Sequence, residues 1–234
     1  MKKFLTARWQ DLIMVNYEVS PDLLRPRVPA GTELDLHEDR CFVSLVGFMF
    51  LDTRVKGFLV PFHTNFEEVN LRFYVRRETE GETRRGVVFV KEIVPRLAIA
   101  SVARLVYGEP YECWQMSHEC TNESVGYSWA KGRVHNSIRV ERDANLGVPA
   151  PNSHGEFIIE HYWGYTKRGP GRTNEYRVEH PKWELFSVKD EKIDVDFGAT
   201  YGSEFAFLGN AKPFSVLLAK GSDVAVYKGE RILT

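Results

Sequence analysis

Polar and apolar residues alternate strictly from Glu68 to Arg76. Val69, Leu71, Phe73 and Val75 fall on one face of a strand, and Glu68, Asn70, Arg72, Tyr74 and Arg76 on the other. The stretch 66–77 and the apolar run 85–93 predict a hairpin that turns through residues 78–83. Residues 11–19 are rich in β-formers and read as another strand. Segments 33–37 and 41–51, joined by Glu38-Asp39-Arg40, look like a second hairpin. Its second arm is almost continuously apolar, as in a strand covered on both faces, although a buried helix carries the same pattern. Ser20-Pro21-Asp22 predicts a capped helical turn that Pro26 and Pro29 end quickly.

One segment predicts a full helix, at about 95–107. Pro95 lies just inside its start, and Gly108 lies just past its end, before Pro110. Strand-like runs follow at 112–118, 124–131, 133–142, 156–163, 172–180, 183–188, 213–219 and 223–227. No repeat or linker interrupts them, so residues 1–234 are expected to form a single domain. Many strands with one main helix place the chain in the α+β class, mainly antiparallel β, with the sheet curled into a barrel or cone.

The polar face of 68–76 either meets water or lines an internal pocket. Asn and Tyr on that face, in place of the Lys and Thr usual toward solvent, favour the pocket. The charge cluster at the hairpin tip also begins only at Arg76, and is expected to be a solvated tip with cross-strand ion pairs. Residues two apart on a strand are roughly 6.6–6.8 Å apart, which separates Glu68 from Arg72 by about 13 Å at Cα. The two cannot easily neutralise each other, so each needs another partner. Arginine suits a carboxylate, and a buried glutamate can carry a raised pKa and move protons.

The 31 basic and 32 acidic residues nearly cancel, which supplies no field for nucleic acid or an anionic membrane. The longest apolar run, 41–51, is too short to span a bilayer, and Arg8, Gln10 and Asp11 interrupt any leader-like start. The expected location is cytoplasmic. Three cysteines, Cys41, Cys113 and Cys120, cannot all pair. Cys113, His118 and Cys120 match no standard zinc spacing, so they are expected to be reduced thiols beside an unrelated histidine. No Gly-rich phosphate loop, G-x-S-x-G elbow or H-E-x-x-H motif is present, and no metal or other cofactor is expected.

An opening segment and three motifs carry a resemblance. Arg8-Trp9 with 15–21 and 28–31, then Phe66-Glu67-Glu68-Val69-Asn70-Leu71-Arg72-Phe73-Tyr74-Val75, resemble the YqjF-like family of uncharacterised bacterial proteins. So do the segment 103–111, which ends in Gly108-Glu109-Pro110-Tyr111, and His180-Pro181-Lys182-Trp183. The resemblance covers about residues 7–190. It implies an acetoacetate decarboxylase-like β-barrel or cone around a closed cavity. Decarboxylases of that superfamily use a lysine that forms a Schiff base with the substrate. That lysine is one of an adjacent pair and follows a Gly-Phe-Pro turn after a helix. Here Tyr111 and Glu112 follow the corresponding turn, so Schiff-base decarboxylation is not expected.

Glu68, Asn70, Arg72, Arg104 and Tyr111 are the candidate ligand-binding residues, and Glu68 and His180 the candidate acid–base groups. Tyr111 is either a pocket hydroxyl or a residue packed beside the helix end. His180 either bonds to backbone or enters the pocket. Lys91 and Lys182 are the lysines to check as substitute amines, each more commonly a solvated side chain. Three classes of function stay open: an enzyme or binder for a small organic acid or carbonyl compound, a non-catalytic ligand-binding or sensory module, and a structural protein whose cavity its own side chains fill. A small-molecule ligand is the expected partner. A homodimer is compatible with a sheet-rich chain that has edges to cover.

Overall fold

The computed structural model describes residues 2–59, 61–106 and 108–233, with 102–106 and 233 described by backbone alone. The first strand, β1 (Lys3–Val19), begins well before the predicted residue 11. It bends at Asp11 (φ 54°), where its register against the next strand slips, as at a β-bulge. Ser20 then caps α1 (Pro21–Leu24), its hydroxyl accepting the Asp22 N–H. The strands β2 (Glu33–Leu34), β3 (Cys41–Val55), β4 (Phe58–Leu59) and β5 (Phe66–Thr79) follow.

The expected hairpin of 33–37 with 41–51 does not form. Glu38 and Asp39 take left-handed backbone (φ 50° and 62°), so only His37 and Arg40 bridge, and β2 pairs with β5 instead. The hairpin of β5 with β6 (Glu82–Val94) forms as predicted, as does the helix, α2 (Leu97–Val106). The single strand predicted at 112–118 is two, β7 (Tyr111–Cys113) and β8 (Gln115–Cys120), because they serve different neighbours. β7 runs parallel to β6, whereas β8 pairs with β9 (Ser124–Lys131), which turns into β10 (Val134–Gly147).

The strand predicted at 156–163 is a helix, α3 (His154–Ile159). Ser153 caps it, and Phe157, Ile158 and Ile159 are buried together, an apolar run too short to reveal a period. β11 (Trp163–Gly169), β12 (Arg172–Glu179), β13 (Leu185–Asp194) and α4 (Phe197–Tyr201) come next. The two runs predicted at 213–219 and 223–227 join in β14 (Ser215–Tyr227), bent at Gly221 (φ 81°), where a Cβ would stand 2.0 Å from the Trp9 carbonyl oxygen. β15 (Glu230–Leu233) ends the chain's ordered pairing.

Seven strands pair in the order β12-β11-β6-β5-β3-β1-β14, and β14 pairs again with β12, so this part of the sheet returns on itself. Both closing seams are short: Trp163 and Gly164 of β11 against Gly86 and Val87 of β6, and Val178 and Glu179 of β12 against Val226 and Ala225 of β14. From β14 the sheet continues through β13, β10, β9 and β8. This continuation covers the outer face of the ring. Val69, Leu71, Phe73 and Val75 share one apolar cluster with Val125, Tyr127, Trp129, Ile138 and Val140. A second cluster, which includes Leu12, Met14, Val46, Phe48, Phe66 and Val87, lies on the ring's other face.

The hairpin tip is less solvated than expected. Arg77 and Arg84 both reach the buried Glu175 of β12, at 3.0 and 2.7 Å, and Arg84 lies over the Trp163 ring. The cross-strand charges therefore tie β5 and β6 to β12. No helix of the described residues is long and apolar enough to cross a membrane.

Closure makes a specific demand at Gly86. A Cβ there would stand 2.6 Å from the Trp163 carbonyl oxygen and 2.7 Å from the Tyr165 ring, in the two-residue seam. Gly86→Ala is expected to destabilise the fold by roughly 2 kcal/mol, read from the denaturant midpoint. An unchanged midpoint would show that the seam yields without loss.

Candidate functional site

The two faces of β5 explain the site. With its apolar face packed against β9 and β10, its polar face turns into the ring. There, strand pairing sets Asn70, Glu92 and Tyr111 abreast on β5, β6 and β7. Glu68 stands two residues before Asn70, and Arg72 two residues after it. Together they edge a cavity of about 200 Å³. All seven ring strands line it, with Trp9, Phe48, Phe50, Phe66, Phe89 and Trp163 making most of the wall apolar, and Ala98 and Ile99 of α2 add to it.

The Glu68 carboxylate accepts the Asn70 amide N–H and the Tyr111 hydroxyl, both at 3.0 Å. Arg72 donates to the Ile158 carbonyl at 3.3 Å and acts on Glu68 only through its charge. Each thus has partners other than its strand neighbour. Tyr111 also hydrogen-bonds Glu92. A phenol has one proton to donate. That proton has two acceptors within reach, Glu68 at 3.0 Å and Glu92, whose pKa the contact lowers. Beyond Glu92 lies Glu109, which accepts the Thr166 hydroxyl at 2.6 Å and bonds Tyr176.

Three buried carboxyl groups in one cavity suppress one another's ionisation. Burial pushes Glu68 up to about 7, against its hydrogen bonds and the Arg72 charge. It pushes Glu109 up to about 7 as well, against Thr166 and Tyr176. Glu92 rises well above the carboxylate range through burial, reinforced by the charges of Glu109 and Glu68. Tyr111 is held above the ordinary phenol range by burial and by the Glu68 and Glu92 charges. At neutral pH the cavity therefore holds carboxyl groups that can take or give a proton.

His161 also lines this cavity, held by Asp35 of the segment after β2. Its Nε2 lies 3.1 Å from Asp35 Oδ2, which also accepts from Arg85 Nε at 2.6 Å. Burial pulls His161 down to about 4, so the ring is neutral.

The other candidates lie elsewhere. His180 does not line the cavity: its Nδ1 faces the Pro181 carbonyl at 2.9 Å, and its ring stacks on Trp183 at 4.0 Å. Arg104 sits on α2, and its side chain lies outside the described residues. Lys91 points away from the cavity, to the Thr200 carbonyl at 2.6 Å and to Glu112 at 2.8 Å, because successive side chains on β6 face opposite ways and Glu92 takes the inward position. Lys182 pairs with Glu156 on the surface. No lysine lines the cavity among the described residues. All three cysteines are free, and His118 pairs with Glu67 rather than with them. Among the described residues no group of three or more His, Cys, Asp or Glu side chains is placed to hold a metal ion.

Sequence reasoning missed Glu92, Glu109, Tyr176 and His161. A signal existed for two of them. Glu92 interrupts an apolar strand run next to Lys91, and Glu109 occupies the very turn read for its missing lysine.

With ring and cavity in view, the chain's relatives take their place. The protein belongs to the DUF2071 family, described as an uncharacterized conserved protein (COG2071), whose pattern matches residues 6–223. It is 28% identical over 121 residues to the uncharacterized protein YqjF of Bacillus subtilis (strain 168), a match that covers 51% of this chain and 48%, about half, of that relative. In fold it resembles acetoacetate decarboxylase from Legionella pneumophila, with a TM-score of 0.73 at 12% identity over 99% of this chain and 88% of the other. It also resembles the enduracididine biosynthesis enzyme MppR complexed with pyruvate, with a TM-score of 0.68 at 14% identity over 99% and 91%. An acetoacetate decarboxylase-like enzyme from Sphingomonas wittichii RW1 aligns with a TM-score of 0.66 at 11% identity over 100% and 95%.

A raised carboxyl destabilises the fold once it ionises. Glu68 carries its proton in both folded and unfolded chains below its ordinary 4.5, so stability falls as pH rises from 4.5 to about 7 and then levels. Glu68→Gln removes that loss, on the order of 3 kcal/mol at pH 8 at about 1.4 kcal/mol per pKa unit. The variant is expected to melt higher than the parent at pH 8, with little difference at pH 4.5. An equal effect at both pH values would place Glu68 in water.

Proposed function

We propose that the ring of strands is the barrel or cone of the acetoacetate decarboxylase-like fold, and that it binds a small carbonyl compound or organic acid for proton transfer without a covalent amine adduct. One observation carries this reading: Glu68, with a pKa pushed to about 7, faces a largely apolar cavity that no described lysine lines, while Tyr111 stands after the turn where decarboxylases of this fold carry theirs. Solution of the fold neighbour MppR with pyruvate supports a small carbonyl ligand. Open volume of about 200 Å³ weighs against a cavity filled by the chain's own side chains.

In this reading the ligand's carbonyl oxygen accepts the Arg72 Nε–H, which is buried without a protein partner. Glu68, as carboxylate, takes a proton from the carbon beside the carbonyl. The C–H electron pair moves into a C–C double bond, the carbonyl pair moves onto oxygen, and the enolate rests against the guanidinium. Return of a proton from Glu68 to carbon regenerates the carbonyl compound. Glu68, Asn70, Arg72 and Tyr111 are the proposed binding residues, with Glu68 the base.

Solvent deuterium exchange into pyruvate and small ketones tests this directly. The protein is expected to catalyse exchange at a rate that rises with pH through about 7, and Glu68→Gln to lower it about a hundredfold. Borohydride with the same compounds is expected to leave no adduct. Exchange unaffected by Glu68→Gln, or a reduced adduct on Lys91 or Lys182, would overturn the reading. Saturable binding with no exchange would favour the non-catalytic binding module.

A further inference from the structure

Six buried polar atoms of cavity-lining residues lack a hydrogen-bond partner in the protein: Trp9 Nε1, Thr53 Oγ1, Asn70 Oδ1, Glu92 Oε2, and the pair taken up here, Arg72 Nε, a donor, and His161 Nδ1. The state of the second follows from its surroundings. Asp35 is buried, yet hydrogen bonds and charge from His161 and Arg85 outweigh the burial and hold it below the usual carboxylate range. An ionised carboxylate only accepts, so the His161 nitrogen facing it, Nε2, carries the proton. The ring is neutral, so Nδ1 is a bare acceptor. The ring is buried, and no described side chain bonds Nδ1. Its orientation is fixed by the Tyr74 ring at 4.6 Å and the Phe157 ring at 5.2 Å. An unpaired buried acceptor is unfavourable by about 1–3 kcal/mol, and a bound donor group relieves it.

We infer that His161 Nδ1 is a ligand-recognition atom that accepts the hydroxyl proton of a small hydroxy-carbonyl compound whose carbonyl oxygen lies on Arg72 Nε, with Asp35 as the residue that positions the imidazole. This deepens the reading of the cavity as a carbonyl site, and it selects within that class: a hydroxyl beside the carbonyl serves His161 Nδ1 as well as Arg72 Nε, and a plain ketone serves Arg72 Nε alone. Arg72 and His161 are close enough for the guanidinium charge to act on the imidazole.

Matched probes test it: α-hydroxyacetophenone against acetophenone, with affinities measured by calorimetry. Wild type is expected to prefer the hydroxy compound about tenfold, the size of one net hydrogen bond. His161→Leu is expected to bring the ratio to about one while acetophenone binding persists, and His161→Gln, which keeps an acceptor, to restore part of it. A wild-type ratio near one, or a preference that survives in His161→Leu, overturns the assignment. If neither probe binds wild type, the carbonyl pocket itself fails and the assignment with it. Nitrogen-15 spectra of the ligand-free protein give a second readout, independent of binding. Nδ1 of His161 is expected to show the shift of an unprotonated nitrogen and Nε2 that of a protonated one, a preference lost in Asp35→Leu. The opposite tautomer in wild type overturns the inference even if the probes bind.

Discussion

Three carboxyl groups and one guanidinium share the inside of the sheet ring, and they cannot all be charged together. With Glu68, Glu92 and Glu109 ionised, three negative charges would share a space walled mostly by aromatic and aliphatic side chains, with the Arg72 charge acting on Glu68 and that of Arg168 on Glu109. Protonation resolves the conflict. Glu92 keeps its proton, bonded to Tyr111, while Glu68 and Glu109 stand near the point of exchange at neutral pH. Every other feature of the site answers to this constraint. Asn70, Tyr111, Thr166 and Tyr176 are hydrogen-bond partners that make a partly ionised set tolerable, and Lys91 lies outside, where Glu112 and not the cavity acids receives it.

The same constraint bears on which side chain can stand beside the carboxyl groups. An amine beside three carboxyl groups would hold its proton and be a poor nucleophile. Tyr111 in that neighbourhood stays protonated and hydrogen-bonds both Glu68 and Glu92. A tyrosine, not a lysine, follows the Gly108–Pro110 turn in this chain. It fits a cavity organised around carboxyl protonation. Fold likeness at 12–14% identity carries the ring and says nothing of the reaction.

How far the fold was legible follows from where its signals lay. The β5–β6 hairpin and α2 were written locally, in strict alternation and in a proline–glycine bracket, and both form within two or three residues of expectation. α3 was misread as strand because Phe157, Ile158 and Ile159 form a short apolar run, and only the Ser153 cap distinguishes helix there. The β2 arm was assigned to the wrong partner because pairing is a non-local choice. The polar face of β5 was recognisable because it breaks the usual inside–outside rule within one strand. His161 and Asp35 were not, since they lie far apart in sequence, on no periodic element, and meet only when the ring closes.

Closure thus does chemical as well as architectural work. Asn70, Glu92 and Tyr111 stand abreast because β5, β6 and β7 pair in sequence, two of them through a hairpin and the third through a parallel return after α2. The two-residue seam at Gly86 then brings β11 against β6, and with it Thr166 to Glu109. The loop before β11 carries His161 to the same cavity. A site made this way draws its precision from backbone pairing. Its stability is lowered by the raised carboxyls, and the apolar clusters on both sheet faces offset that loss. Residues that weaken the fold where they ionise are also the ones able to exchange a proton with a bound molecule, so the instability of this cavity and its capacity for chemistry have one physical origin.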